Sequence, residues 1–154
     1  MKVGIILHSH TGNTLSVAEK LQERLVAAGH WVQLERVTAV DESPQAKKVE
    51  LKNVPDTRSY DMLIFAAPVW AFSLPPVVKL YLSQIPTLKG KAVGCFVTQA
   101  FPFPWMGGNR TIRQMVSACQ ALGGKVFSTG IVNWTRRRET RIDQLIEALS
   151  MGGK

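Results

Sequence analysis

Residues 9–14 (Ser-His-Thr-Gly-Asn-Thr) combine small side chains, hydroxyls and an amide directly behind a short apolar run. A helical pattern begins at Thr14, so the first backbone N–H groups and the positive end of the helix dipole would face this loop. The hydroxyls of Ser9 and Thr11 and the amide of Asn13 would add further donors. These groups suit a phosphate that is bound without a lysine, although a hydroxyl-rich helix cap also explains the same residues.

Two common nucleotide motifs are missing from this loop. It has neither the G-x-x-x-x-G-K-[ST] of a P-loop nor the G-x-G-x-x-G of a dinucleotide fold, which argues against a nucleoside triphosphate or a dinucleotide as the primary ligand. The segment S-x-T-G-N-T instead resembles the phosphate loop of flavodoxins. This resemblance implies flavin mononucleotide (FMN) as the cofactor, with its phosphate held by Ser9, His10, Thr11, Gly12, Asn13 and Thr14.

Residues 61–70 (Asp-Met-Leu-Ile-Phe-Ala-Ala-Pro-Val-Trp) resemble the third strand of flavodoxins and the first loop around their flavin ring. The resemblance implies that Trp70 stacks on the ring, and that four neighbours also contact it: Pro68, Val69, Ala71 and Phe72. Such stacking contributes about 1 kcal/mol beyond burial of the indole. A tryptophan after a strand is also typical of ordinary core or surface packing.

A third loop, residues 98–108, follows the fourth apolar run and is rich in aromatic residues and prolines, which are unusual on a bare solvent surface. By position, the flavodoxin resemblance assigns a second wall of the flavin site to Thr98, Gln99, Ala100, Phe101, Gly107 and Gly108. The aromatic side chains Phe101, Phe103 and Trp105 equally suit a flat substrate, a partner protein or simple packing of a long loop.

Five apolar, β-branched runs alternate with helical patterns, which predicts a parallel sheet with right-handed crossovers. The predicted strands are Lys2 to His8, Trp31 to Val37, Met62 to Ala67, Ala92 to Thr98 and Val126 to Val132. The predicted helices are Thr14 to Ala28, Pro75 to Gln84, Asn109 to Leu122 and Thr140 to Ser150. We expect one α/β domain over residues 1–154, with a three-layer, doubly wound, five-stranded parallel sheet of flavodoxin-like order 2-1-3-4-5. Ligands of such sheets bind beyond the carboxyl ends of the strands, where the three loops would meet.

The second crossover is the irregular part of this pattern. Between Val37 and Asp61 the chain is polar, contains Pro44 and Pro55, and has no sustained apolar period. We expect at most a short helix there, with loops around it.

The chain has 19 Lys and Arg residues against 11 Asp and Glu, a formal charge of +8. This charge attracts phosphates, nucleic acid or an acidic protein without choosing among them. The densest basic run, Arg136 to Arg138 with Arg141, opens the last helix, where cations oppose the macrodipole. It suits a ligand or a partner, or is a solvated surface. No recognition helix or repeated Arg–aromatic pattern supports nucleic-acid binding.

Other residues exclude further classes. No apolar run near the start reaches the about 20 residues of a membrane helix, and no leader cleavage site follows it, so we expect a cytoplasmic protein without a membrane partner.

Cys95 and Cys119 are expected to be buried, reduced thiols. His8 and His10 lack the companions of a metal site, although either suits a proton donor near neutral pH. The sequence also lacks the G-x-S-x-G elbow of a hydrolase and the acidic residues of a response-regulator receiver.

Two redox functions follow from the flavodoxin resemblance. The favoured function is an FMN-dependent oxidoreductase, of a type that uses NAD(P)H and a small electron acceptor. The alternative is a non-catalytic electron carrier for an acidic redox partner protein, and in either case we expect a monomer or homodimer. Flavodoxins are commonly acidic and often have a glycine in the first flavin loop, whereas this chain is basic and has none in residues 67–74. A backbone flip to positive φ at Ala71 would cost about 1 kcal/mol, so both departures favour two-electron chemistry slightly. A flavin-free interaction module is a third interpretation.

Overall fold

The structure is a computed structural model of the 154-residue chain. It describes residues 1–9, 12–41, 48–70, 72–100, 107–135 and 137–151. In chain order these residues form β1 (Lys2–Leu7), α1 (Asn13–Ala27), β2 (Trp31–Arg36), β3 (Thr38–Ala39), β4 (Leu51–Asn53), β5 (Met62–Pro68), α2 (Pro76–Gln84), β6 (Ala92–Gln99), α3 (Gly108–Ala121), β7 (Lys125–Asn133) and α4 (Arg138–Ser150).

The central sheet is parallel and has the order β2-β1-β5-β6-β7. With the short strands β3 and β4 set aside, this is the predicted order 2-1-3-4-5, and the flavodoxin-like α/β fold is confirmed. The chain starts in the middle of the sheet at β1, moves out to β2, and then crosses to β5 and onward to β7. Strand order therefore reverses between β1 and β5, which is where doubly wound sheets open a crevice for ligands.

The predicted strands and helices of this sheet are confirmed, with ends that differ by one or two residues. The largest difference is at α4, which begins at Arg138 instead of Thr140. The N-cap residue before it, Arg137, has a φ of 48°, a left-handed conformation.

The crossover between β2 and β5 differs from the expected loops and short helix. Thr38–Ala39 pairs antiparallel with Leu51–Asn53, and a register shift separates the two paired positions. Residues 42–47 lie outside the described part. A polar segment without a helical period satisfies its backbone groups here by pairing two very short strands.

Helices cover both faces of the sheet and bury one apolar cluster on each. On one face, Leu21 of α1 and Leu149 of α4 are fully buried against the strands. On the other, Tyr81 of α2 and Met115 of α3 are buried almost completely. Each such side chain contributes about 1.5–3 kcal/mol by leaving water, and the two clusters together hold the strand ends in fixed positions.

The two cysteines belong to the second of these clusters, and their predicted state is confirmed. Cys95 in β6 and Cys119 in α3 are free, buried thiols. The Cys95 thiol donates a hydrogen bond to the Cys119 sulfur, and this bond together with burial raises the pKa of the Cys95 thiol well above its usual value. Within the described residues, no helix has the length and apolar character needed to cross a bilayer.

Candidate cofactor site

The phosphate loop, residues 8–14, leaves β1 and enters α1. The Ser9 hydroxyl oxygen accepts hydrogen bonds from the backbone N–H groups of Gly12 at 3.2 Å and Leu15 at 3.3 Å. Gly12 is the N-cap residue with a φ of 92°, a conformation that glycine adopts without steric cost. Ser9 thus supplies the capping oxygen that the glycine at the N-cap lacks.

The amino end of α1 is electrostatically positive and open. Its first turn holds no acidic residue, and the N-cap residue Gly12 has no side chain of its own to cover it. A Cβ added at Gly12 would meet no described atom within 4 Å. The Arg36 Nη2 atom donates a hydrogen bond to the Ser9 carbonyl at 3.1 Å, which brings a guanidinium to the loop. The helix dipole is equivalent to roughly half a positive charge at the amino end of α1. The charge of the Arg36 guanidinium adds to the positive potential there.

A buried hydroxyl pair joins the phosphate loop to the neighbouring β6. The Thr14 and Thr98 side-chain oxygens lie 2.8 Å apart, and both residues are almost completely buried. One hydroxyl donates to the other, so two of the predicted site residues fix each other's side chains. This contact ties the start of α1 to the end of β6.

The tryptophan turn, residues 69–74, follows β5. The Trp70 N–H donates to the Ser73 carbonyl at 2.9 Å, and the Ser73 N–H donates to the Trp70 carbonyl at 2.8 Å. Between them Phe72 has a φ of 62°, a left-handed conformation that costs a residue other than glycine about 1 kcal/mol. The turn therefore adopts positive φ without a glycine.

Helix α3 holds this turn in place. The Gln114 Oε1 atom accepts hydrogen bonds from the Ser73 hydroxyl at 3.0 Å and from the Leu74 N–H at 2.9 Å. On the other side, the Val69 N–H donates to the Thr98 carbonyl at 2.9 Å. These bonds anchor both ends of the turn to rigid elements, which compensates for the strain at Phe72.

His8 supports the indole of Trp70. The two ring centroids are 5.5 Å apart with an interplanar angle of 73°, an edge-to-face contact. The Val37 carbonyl can only accept, so the His8 Nδ1 atom carries a proton and donates it over 3.1 Å. Because His8 is buried and held by the backbone, it fixes the position of Trp70. Its suitability as a proton donor stays a prediction.

The third loop, residues 98–108, is fixed at its start by β7. The Gln99 Nε2 atom donates to the Asn133 Oδ1 atom at 2.6 Å, and both residues are buried. The Trp134 N–H donates to the Gln99 carbonyl at 2.8 Å, and the Thr135 hydroxyl donates to the Ala100 carbonyl at 2.9 Å. The backbone of Gln99 and Ala100 is thus presented from a rigid base.

Gly107 brings the end of the third loop against the tryptophan turn. It has a φ of 108°, and a Cβ added there would lie 2.7 Å from the Phe72 Cα atom. No side chain fits in that space. Gly108 likewise lies against the Gln99 side chain. Gly107 and the tryptophan turn are therefore in direct contact.

The described members of the predicted site all lie at this carboxyl edge of the sheet, or in the turns that adjoin it. They are Ser9, Gly12, Asn13, Thr14, Pro68, Val69, Trp70, Phe72, Thr98, Gln99, Ala100, Gly107 and Gly108. The predicted site residues His10, Thr11, Ala71 and Phe101 lie outside the described residues, as do Phe103 and Trp105. Contact of any of these residues with a cofactor stays a prediction.

Sequence reasoning missed three side chains that hold the site together. Arg36 binds the phosphate loop, Gln114 binds the tryptophan turn, and Asn133 binds the third loop. Arg36 and Asn133 are the last residues of the edge strands β2 and β7. Their position at the carboxyl ends of strands could have placed them near the site. Gln114 lies in the middle of α3 and had no such signal.

The donor set and shape of these loops fit FMN. The phosphate loop with Arg36 offers backbone and guanidinium donors for the phosphate, and Trp70 with its neighbours offers a flat apolar surface for the ring. The backbone of residues 98–100 would hold the polar edge of the ring. When bound, FMN supplies one- and two-electron redox chemistry, and the protein's contribution is to hold the flavin and exclude water.

Comparison with known proteins agrees with this geometry. The chain is similar to the two-electron reduced flavodoxin of Megasphaera elsdenii, with 26% identity, a TM-score of 0.73 and coverage of 97% of this chain and 98% of that one. It is similar in fold to oxidised flavodoxin 2 of Bacillus cereus, with 18% identity, a TM-score of 0.72 and 99% of each chain covered. A search of curated proteins found no match. The family model described as having a flavodoxin-like fold matches residues 1–150. The chain therefore belongs to this flavodoxin-like family, whose members are FMN-binding flavoproteins.

Proposed function

We propose that the chain binds FMN at the carboxyl edge of its sheet and passes electrons through it as a carrier that exchanges them with a redox protein. The observation that carries this proposal is the convergence of the phosphate loop, the tryptophan turn and the third loop at one edge, joined by the Thr14–Thr98 hydroxyl pair and the Gly107–Phe72 contact. A phosphate site and a flat aromatic surface at the same edge of the sheet suit one ligand that has both a phosphate and a planar ring.

The size of the chain favours the carrier function. Its match to the Megasphaera elsdenii flavodoxin extends over nearly the full length of both chains. No large insertion therefore interrupts the fold to line a dedicated nicotinamide or quinone pocket, which a second copy of the chain would have to supply.

The tryptophan turn favours a second function, an NAD(P)H-dependent oxidoreductase that reduces a small acceptor such as a quinone. Two backbone hydrogen bonds between Trp70 and Ser73 and the two bonds to Gln114 lock this turn. Residues 67–74 contain no glycine that would make a backbone flip easy. A turn that resists flipping adjusts poorly to the one-electron reduced cofactor, which favours two-electron transfer.

Steady-state kinetics of the FMN-loaded protein separates the two functions. A carrier should oxidise NADH or NADPH, with a quinone as acceptor, no faster than the same concentration of free FMN, yet exchange electrons rapidly with a redox protein. Turnover clearly above free FMN with either nicotinamide would reject the carrier in favour of the oxidoreductase. A chain that does not retain FMN would reject both.

A further inference from the structure

Exposed arginines surround the carboxyl edge of the sheet. We call them the arginine rim: Arg36, Arg110, Arg113, Arg137, Arg138 and Arg141. They come from three separate elements, the end of β2, the first two turns of α3 and the start of α4. All six residues are exposed, so they contribute a surface charge and no part of the core.

The rim is continuous with the candidate cofactor site. Arg36 binds the Ser9 carbonyl of the phosphate loop. The turn that leads to Arg137 is joined to the third loop, because Trp134 and Thr135 donate hydrogen bonds to the carbonyls of Gln99 and Ala100. On α3, Arg110 follows the third loop directly. A macromolecule that contacts the rim would therefore lie over the entrance to the site.

The helix dipoles do not explain three of these charges. Cations at the amino end of a helix oppose its dipole, and that is where Arg110, Arg137 and Arg138 stand. By contrast, Arg24 lies in the last turn of α1, where the dipole favours it. Arg137 also adopts a left-handed conformation that residues other than glycine rarely take. An unfavourable arrangement that recurs on two helices points to a use outside the fold.

Acidic groups near the rim do not cancel its charge. Glu139 lies 3.5 Å from the Lys20 ammonium and 3.6 Å from the Arg138 guanidinium, so it is shared between two cations. Helix α3 contains no acidic residue, and Asp143 is the other acidic residue in the first two turns of α4. Arg138 also lies 4.6 Å above the Trp134 ring, which presents an aromatic surface together with the charge. Arginine and tryptophan are both enriched in protein interfaces.

We propose that the arginine rim is the docking surface for an acidic redox protein, which it brings over the edge of the bound flavin. This inference rests on the proposed electron-carrier function and assigns the partner's chemistry. The groups that hold a nucleotide phosphate converge on one point, whereas the rim spreads its cations over three elements. That spread matches an extended acidic surface, which would be steered toward the site by long-range attraction.

A pair of charge reversals with a matched control tests the proposal. Arg110→Glu with Arg141→Glu reverses two rim charges without touching a residue of the cofactor site, and places acids where the helix dipoles favour them. Lys89→Glu with Lys125→Glu makes the same change in net charge at the opposite edge, where both lysines are exposed. The probe is an acidic iron–sulfur ferredoxin. Its affinity for each FMN-loaded variant is measured by calorimetry at low and at physiological salt.

Electron transfer is measured on the same proteins. In each event the reduced ferredoxin loses one electron and is oxidised, and the bound flavin gains it and is reduced. We expect wild-type affinity and transfer rate to fall as salt rises. The rim variant should lose about tenfold or more in both at low salt, and the control variant about twofold or less. All three proteins should retain the same affinity for FMN.

Several results would overturn the docking proposal while leaving FMN binding intact. They are equal losses in both variants, no measurable ferredoxin binding by the FMN-loaded wild type, and a rim variant that loses affinity for NADPH or for an oligonucleotide but not for ferredoxin. If the wild type fails to bind FMN at all, the proposed function itself is wrong, and this outcome is visible before any ferredoxin is added.

Discussion

Ser9 contributes to the candidate phosphate site by holding the backbone of the phosphate loop in place. Its hydroxyl oxygen accepts from two backbone N–H groups of the phosphate loop, at Gly12 and Leu15. The glycine at the N-cap is free to adopt positive φ because the capping oxygen comes from elsewhere. The loop conformation therefore depends on this hydroxyl before any phosphate arrives.

Replacement of Ser9 by alanine should lower both stability and FMN affinity. Loss of the capping oxygen should cost about 0.5–2 kcal/mol in the free energy of unfolding, measured in urea. FMN affinity should fall as well, because the loop would no longer be preorganised. Ser16→Ala is the control, since the Ser16 hydroxyl donates to a carbonyl of the same helix start and caps no N–H group. Equal effects from both substitutions would contradict this role of Ser9.

Trp70 is the side chain for which stacking on the flavin is predicted, and its support by His8 fits that role. Trp70→Ala should weaken FMN binding by about tenfold, from the loss of about 1 kcal/mol of stacking together with buried area. Trp31→Ala is the control, because Trp31 is 53% exposed and begins β2 at the opposite edge of the sheet. A flavin titration in which Trp70→Ala binds FMN like the wild type would contradict the assignment.

The third loop and the tryptophan turn come into contact because Gly107 has no side chain. The position combines positive φ with contact against the backbone of Phe72. Gly90 offers the matched comparison, since it has a φ of 81° but no described atom within 4 Å of an added Cβ. Only a substitution at Gly107 tests the contact between the third loop and the tryptophan turn.

Gly107→Ala should therefore destabilise the protein more than Gly90→Ala. Both substitutions incur about 1 kcal/mol for a side chain at positive φ. Gly107→Ala should incur a further 1–3 kcal/mol or so from overpacking, and should weaken FMN binding because the tryptophan turn is displaced. Urea unfolding and flavin titration of the two variants measure these effects. Similar losses in both would show that the two loops do not need to touch.

The elements that the sequence predicted well are those with a long apolar period. The strands of the main sheet are buried runs of β-branched residues, and α1 repeats apolar side chains at helical spacing. The β3–β4 pair was missed because strands of two and three residues are too short to show a period. Gln114 was missed because its contact with Ser73 spans 41 residues and depends on how α3 packs.

The stability of the whole molecule should depend on pH in the alkaline range, because the Tyr60 hydroxyl titrates there. Burial, followed by a hydrogen bond to Glu35, raises the pKa of Tyr60 well above its usual value. A group whose pKa is raised on folding stabilises the protein below its unfolded pKa, and that contribution is lost as pH rises through the folded value. Stability should therefore decline above about pH 10.

Tyr60→Phe should remove part of this decline. The variant should be less stable than the wild type at neutral pH, because the hydrogen bond to Glu35 is lost. Its stability should fall less steeply above about pH 10, because one titrating group is gone. Thermal unfolding over a pH series measures both. Parallel curves for the two proteins would mean that Tyr60 does not carry the alkaline dependence.

We expect this basic member of the flavodoxin-like family to hold FMN at the carboxyl edge, with its phosphate at the start of α1. Titration of the FMN-free protein with FMN and, separately, with riboflavin tests it most directly, because riboflavin lacks the phosphate. We predict saturable binding of one FMN per chain at micromolar concentration or below, with much weaker binding of riboflavin. FMN that does not bind, or that binds no better than riboflavin, would contradict the claim.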